Sequence, residues 1–316
     1  MSFNTDFASD VDQDSVEEIN FGASFPLIIY GYGDSKIANK VDGFDGKGGF
    51  FIDSERLGAE GSQRDELTAA LIEAGWTKDT RTLQSGAEIE GLYKFDIEAA
   101  IIHLRKRWEA SHKSSEKVTF APFPDGAKGF KIREELVNEF DSVTGRIQLL
   151  VVLRGMDQPF VLTLGGSAQY AMTKTFIPEF MRTMLQTLSA NSKGTRFPLR
   201  TFYMHLSPTV DAKGKNVFEE VGKGSDTSFI CKPSIVGLPN PGDAKSLDAA
   251  WTKYFVGEEK VVKGGMFDEF YHSCKDWASA WDNFTGSAGD ASDLHNGQLA
   301  QPAAENAADL ITEAGI

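Results

Sequence analysis

The clearest alternation of apolar and polar positions lies between Arg146 and Gly166. Ile147, Leu149, Val151 and Leu153 form one period-two row, the pattern of a strand with a buried face, and their branched side chains suit a pleated surface. Gly155-Met-Asp-Gln follows, a connection of hairpin length ahead of Pro159. Phe160, Leu162 and Leu164 resume the alternation, and Gly165-Gly166 ends it with residues that reach backbone angles denied to others. The spacing predicts a β-hairpin that the rest of the chain packs around.

Upstream, Phe25 to Tyr32 reads as a first strand with Pro26 near its start, where a missing N–H is tolerated. The Gly-, Asp- and Lys-rich stretch 33–49 is a loop leading into a short strand at Phe50-Phe51-Ile52. Residues 62–75 predict a helix with Ser62 as N-cap, Leu67, Ala70 and Leu71 on its core side and Gly75 as its stop. A hairpin broken at Ser85-Gly86 follows, then a strand through Ile101 and Leu104. Residues 96–111 also fit a helix, which Ala99-Ala100 favours, and periodicity leaves both open.

Downstream of the hairpin, Ala168, Met172, Phe176 and Phe180, then Met181, Met184, Leu185 and Leu188, recur at helical steps, with Pro178 expected to kink or divide the helix. β character returns over 193–238, at Phe197, Leu199, Phe202 to Met204, Leu206, Phe229 to Cys231 and Ile235-Val236. From Ser246 the stripe is helical again, through Leu247, Trp251, Tyr254 and Phe255, then Met266, Phe267, Phe270, Cys274, Trp277 and Trp281, with Gly264-Gly265 between the two sets. These helices are expected to pack against the sheet.

A chain of 316 residues that is 41% hydrophobic can bury a sizeable core. It has no apolar run long enough for a membrane span, and its acidic start is unlike a signal peptide, so a cytoplasmic location (the host's, for a phage protein) is expected. The net charge of −14 is carried mostly by the ends: residues 1–20 and 282–316 each hold six acids and no Lys or Arg. The expected organisation is a disordered acidic arm (1–20), a single β-rich domain (21–281) with C-terminal helices (246–281), and a flexible acidic tail (282–316).

Within that nearly neutral body two segments are basic. Residues 101–133 carry eight Lys and Arg against three acids, interleaved with Trp108, Phe120, Phe123 and Phe130; residues 193–232 carry seven against four. Cations for phosphates beside rings for bases is the composition of a single-strand grip. Catalytic and metal signatures are missing. His103, His112, His205, His272 and His295 have no partner spacing, Cys231 and Cys274 form no zinc pattern, and Asp42 and Asp45 lack the EF-hand ligand order. No enzyme activity, cofactor or metal is expected.

The two strands and GGSAQY turn of Arg146 to Tyr170, the β-rich segment Arg196 to Val236 and the acidic C-terminus resemble single-stranded DNA-binding proteins of phages and plasmids. The same order of strand, GGSA-like turn and Phe-rich strand is similar to an uncharacterised cyanobacterial domain family. The first resemblance implies an α+β fold on an antiparallel, OB-like β-barrel with packed helices, and a non-enzymatic role in DNA replication or recombination. It also implies a tail that recruits replication or recombination proteins, although this tail ends in Glu-Ala-Gly-Ile rather than in a dense acidic run with a terminal aromatic. Single-stranded DNA would be held by Arg105, Lys106, Arg107, Lys113, Arg200, Lys213 and Lys215, with Trp108, Phe123, Phe202 and Tyr203 as stacking rings. A phage structural or assembly protein that self-associates through the same patches is the competing reading, and an enzyme of unknown class the third.

Overall fold

The computed structural model describes residues 25–32, 48–57, 62–82, 88–112, 118–123, 127–165, 168, 171–188, 197–221 and 228–279. Its core is a ten-stranded sheet. The strands are β1 (Leu27–Tyr32), β2 (Gly48–Asp53), β3 (Thr77–Thr82), β4 (Glu88–Lys94), β5 (Ile97–Ser111), β6 (Val118–Pro122), β7 (Ser142–Leu153), β8 (Pro159–Gly165), β9 (Met204–Pro208) and β12 (Pro233–Val236), in the order β12-β9-β5-β7-β8-β1-β2-β4-β3, with β6 added on β5. β10 (Glu219–Val221) and β11 (Ser228–Ile230) pair separately. The predicted hairpin is present as β7 and β8, in register from Arg146 opposite Gly165 to Val152 opposite Pro159.

The sheet does not close. β12 and β3 stand at opposite ends of its order, so the expected OB-like barrel gives way to an open α+β sheet. The departure starts at β1, which joins β8 in parallel, the one such pairing among the described strands. That addition carries the order on through β1, β2, β4 and β3; the Tyr30 hydroxyl donates to the Cys231 carbonyl beside β12, but no pairing among the described strands closes the ring.

β5 also resolves the ambiguity over 96–111 in favour of a strand, and shows why alternation failed to reveal it. Ile101 lies opposite Val151 and His103 opposite Leu150, so Ile102 is an extra residue, a β-bulge. Before it, Ile97, Ala99 and Ile101 share the apolar face with Val151 and Leu153; after it, that face takes Leu104, Lys106, Trp108 and Ala110. The odd-numbered set, His103, Arg105, Arg107 and Glu109, therefore turns to the other face. One inserted residue exchanges the faces of everything beyond it.

Helices cover both faces. α1 (Ser62–Glu73) seals Leu71 and ends as predicted: Gly75 adopts φ +89°, and the N–H groups of Gly75 and Trp76 donate to the carbonyls of Ile72 and Leu71, a Schellman stop. α2 (Ala127–Glu139) packs on the apolar face of β5, where the Trp108 indole donates to the Gly129 carbonyl, and builds a small second core with Ala110, Ala121, Leu136 and Val143. The run from Met172 to Gln186 does divide at Pro178: a four-residue α-turn, α3 (Ile177–Phe180), lies between two π-helical stretches. Pro178 has no N–H for the ladder and its ring crowds the preceding turn, and the wider π turns flank it. Met181 leaves the expected stripe and is exposed. The C-terminal segment forms α4 (Ala244–Tyr254), α5 (Glu258–Val261), α6 (Met266–Ser273) and α7 (Lys275–Ser279), with Leu247, Tyr254, Phe267, Phe270 and Cys274 in the main core. The arm, the tail and the Ser85-Gly86 turn lie outside the described residues, among which no helix is long and apolar enough to cross a membrane.

The bulge makes a sharp prediction. Deleting Ile102 removes only the extra residue and leaves Arg105 opposite Gln148 and Arg107 opposite Arg146, so the cooperative urea transition followed by circular dichroism should survive the deletion. Ile102→Val should keep it, at a loss of about 0.5–1.5 kcal/mol.

Candidate nucleic-acid interface

The bulge sets the fate of the first basic segment. Arg105, on the polar face opposite Gln148, donates through Nε to the Gln148 amide oxygen at 2.9 Å and through a terminal nitrogen to the Trp277 carbonyl at 2.9 Å. Its guanidinium lies 3.8 Å from the centre of the Trp277 ring. Gln148 passes the chain on to the Thr163 hydroxyl. These partners are neutral, and burial pulls the Arg105 pKa down to about 8. Arg107 is buried beside Glu109, which also takes a double contact from Arg146, and desolvation lowers its pKa to about 10.

Arg200 belongs to the same face from the other side of the sequence. It pairs with buried Asp268 of α6 at 3.0 Å and lies 4.2 Å over the Tyr271 ring. Tyr271 stacks in turn on His103, with centroids 4.8 Å apart, and accepts the His103 Nε2–H at its carbonyl. Burial lowers the His103 pKa, and the neighbouring Arg200, Lys275 and His272 push the same way. Arg105, Arg107 and Arg200 thus act inside the fold as dockers of α6 and α7 and as neighbours of Glu109, not as phosphate ligands on its surface.

The stacking rings are likewise interior. Trp108, Phe202 and Tyr203 are buried. Trp108 is held by Gly129 and by Phe123, which stacks on it at 3.9 Å; Phe202 sits among Phe197, Trp251 and Phe255; Tyr203 lies under Arg154 and against Phe267. Rings of that size add more by burial than by waiting for a base. Phe123 and Lys106 are half-buried, and Lys113 lies outside the described residues.

Among the described residues, Lys213 and Lys215 are the predicted contacts that are exposed. They crown a hairpin in which Val210 bridges Asn216, the Gly214 N–H donates to the Asp211 carbonyl, and the Asp211 N–H donates to the Lys215 carbonyl. Gly214 takes φ +77°, as a three-residue hairpin loop requires. Asp211 then accepts from the backbone N–H of Lys213 and of Lys215, at 2.8 and 2.9 Å, bonds that hold its carboxyl below the usual range. The loop's backbone is fixed from within, and the two ammonium groups project from it. At the base, Thr209 ties to the Lys232 carbonyl, and Lys232 pairs with Glu219.

Among the described residues, the Lys213–Lys215 hairpin and the α2–β6 end of the first basic segment lie apart. Leu206 of β9 lies opposite Ile97 and the hairpin lies beyond that end of β5, whereas α2 and β6 begin at the level of Arg107. At the rise of a strand these points are about 30 Å apart. A further polar cluster, His205 on Asp96 at 2.7 Å with Tyr254 and Glu98 alongside, pins β9, β5 and α4 together. The described residues contain no His, Cys, Asp and Glu group suited to a metal ion. Of the rings that cap the buried cations, Trp277 was legible in the sequence only as a member of a helical stripe, and Tyr271 was not singled out. No protein-family model, curated protein or solved structure matches the chain.

His103 gives this face a pH dependence. Its folded-state pKa is lowered, so the unfolded chain binds the proton more readily and stability rises with pH across the window. Stability should therefore fall as pH drops below about 6.5, the unfolded value. His103→Gln should flatten that loss between neutral pH and pH of about 5, read as urea midpoints; an unchanged slope would count against the assignment.

Proposed function

We propose that the protein binds single-stranded DNA without catalysing a reaction on it, and that it does so through the Lys213–Lys215 hairpin. The observation that carries this reading is the preorganised loop: two exposed ammonium groups on a backbone already locked by Asp211 and Gly214. Fixing the loop in advance reduces the ordering cost of binding. Lysines meet phosphates as point charges, and with Trp108, Phe202 and Tyr203 in the core, the contact is to the DNA backbone and tolerant of sequence. The reading does not depend on an OB-like barrel, only on a sheet that holds the hairpin out. The family resemblance supports a place in phage or plasmid replication or recombination.

A fluorescence-anisotropy titration with a labelled oligodeoxynucleotide tests it. Binding should weaken steeply with salt, and Lys213→Ala/Lys215→Ala should lower the slope of log affinity against log salt by about 1.4, two single-strand phosphate contacts at about 0.7 each. A flat titration at low salt overturns the proposal. A large defined assembly without DNA, seen by light scattering, would favour the structural alternative. Alanine at Trp108 or Phe202 is predicted to destabilise the fold by about 3–5 kcal/mol, leaving the salt slope of the folded fraction unchanged.

A further inference from the structure

α2 turns an apolar stripe to solvent. Phe130 and Val137 lie on one side of the helix, two turns apart, and are 42% and 49% exposed, while Gly129 and Leu136 face inward over the small second core. Single exposed apolar residues are common, whereas a ring and a branched side chain aligned on one face mark a contact surface. We propose that α2 pairs antiparallel with α2 of a second copy of this chain, forming a two-fold dimer in which each Phe130 packs on the partner's Val137. The pairing is independent of the DNA-binding reading above.

The charges on the helix select the partner. Lys128, Lys131 and Arg133 occupy the N-terminal half of α2, and Glu134, Glu135 and Glu139 the C-terminal half. That order opposes the helix dipole, which favours anions at the N-terminus and cations at the C-terminus. It also sets Lys131 ahead of Glu135, the weaker sense for a pair four residues apart. A layout unfavourable to the single helix becomes favourable beside an antiparallel copy, whose acidic half lies along the basic half of the first. With Phe130 level with the partner's Val137, Lys131 falls beside the partner's Glu134 and the partner's Glu135 on the same flank of the stripe, and the two-fold axis repeats the contact. The surface is thus self-complementary, as an isologous interface must be. The opposite flank carries Arg133, drawn back over Trp108 with its guanidinium carbon 6.0 Å from the ring centre, away from its own copy. One helix from each chain is a footprint at the low end of specific interfaces, so the dimer is weak and depends on concentration.

Sedimentation equilibrium of the full chain, without DNA, at about 10 to 300 µM tests the pairing. The average mass should rise with concentration from one chain toward two and no further. Lys131→Glu and, separately, Glu134→Lys/Glu135→Lys should each raise the dissociation constant at least about tenfold, since each sets like charges across the axis. Mixing these two variants should restore the association of the parent, because opposite charges then meet again at both symmetry-related contacts. Val137→Glu should hold the chain at the mass of one copy, and Phe130→Gln serves if that variant loses its folded circular-dichroism spectrum. All of these positions are exposed, so the substitutions leave the core intact. A parent that stays at one mass throughout, a dimer indifferent to the folded Val137 or Phe130 variant, charge variants that do not recover on mixing, or a mass beyond two chains each overturns the pairing. DNA is absent from the measurement, so the hairpin reading stands or falls separately.

Discussion

The inserted residue at Ile102 governs the organisation of this molecule. β5 pairs with β7 along its length, with β9 at its start and with β6 at its end, so any change in its phase is felt by every layer. With the bulge, the run Arg105-Lys106-Arg107-Trp108 is split: Trp108 seals a small core under α2, while Arg105 and Arg107 turn to the face that receives α6 and α7. Were Ile102 instead taken into the ladder opposite Leu150, Arg105 and Arg107 would move opposite Ile147 and Gly145, onto the other face, where guanidinium groups buried without partners are not sustainable. The same residue that protects the apolar face thus creates a polar strip for the C-terminal helices to dock on.

That docking is achieved mostly by planar cations and rings. Arg105 with Trp277, and Arg200 and His103 with Tyr271, form two stacks about the Asp268 ion pair. Cation–π contacts gain strength when desolvated, which suits a strip closed over by helices. Arg105, Arg107 and Arg200 are therefore part of the architecture, and of the predicted contacts among the described residues the exposed ones are Lys213 and Lys215, about 30 Å from α2 along the strand direction.

Much of the fold was legible because local signals and packing agree. The alternation of Ile147 to Leu153 and Phe160 to Leu164, the Gly75 stop of α1, the division at Pro178 and the C-terminal helical stripe as far as Trp277 all reappear in place. β5 was hidden because a bulge breaks the two-residue period, and Ala99-Ala100 lends the same segment helical character. The closed barrel was not legible at all, since closure depends on which distant strands pair, and the parallel joining of β1 to β8 leaves no local mark. Among the site residues, Lys213 and Lys215 stood in the second basic segment and are exposed, whereas Arg105, Arg107, Trp108, Arg200, Phe202 and Tyr203 are buried; composition counts charges and rings without saying which way they face.

If the hairpin is the DNA contact, the ligand gives one segment a partner and leaves the docked helices in place. Hydrogen–deuterium exchange with and without saturating single-stranded DNA reads this directly. It should show protection confined to the hairpin around Lys213 and Lys215, while α2, β6, α6 and α7 stay unchanged. Protection centred on α2 and β6, or no change anywhere in the chain, would contradict it.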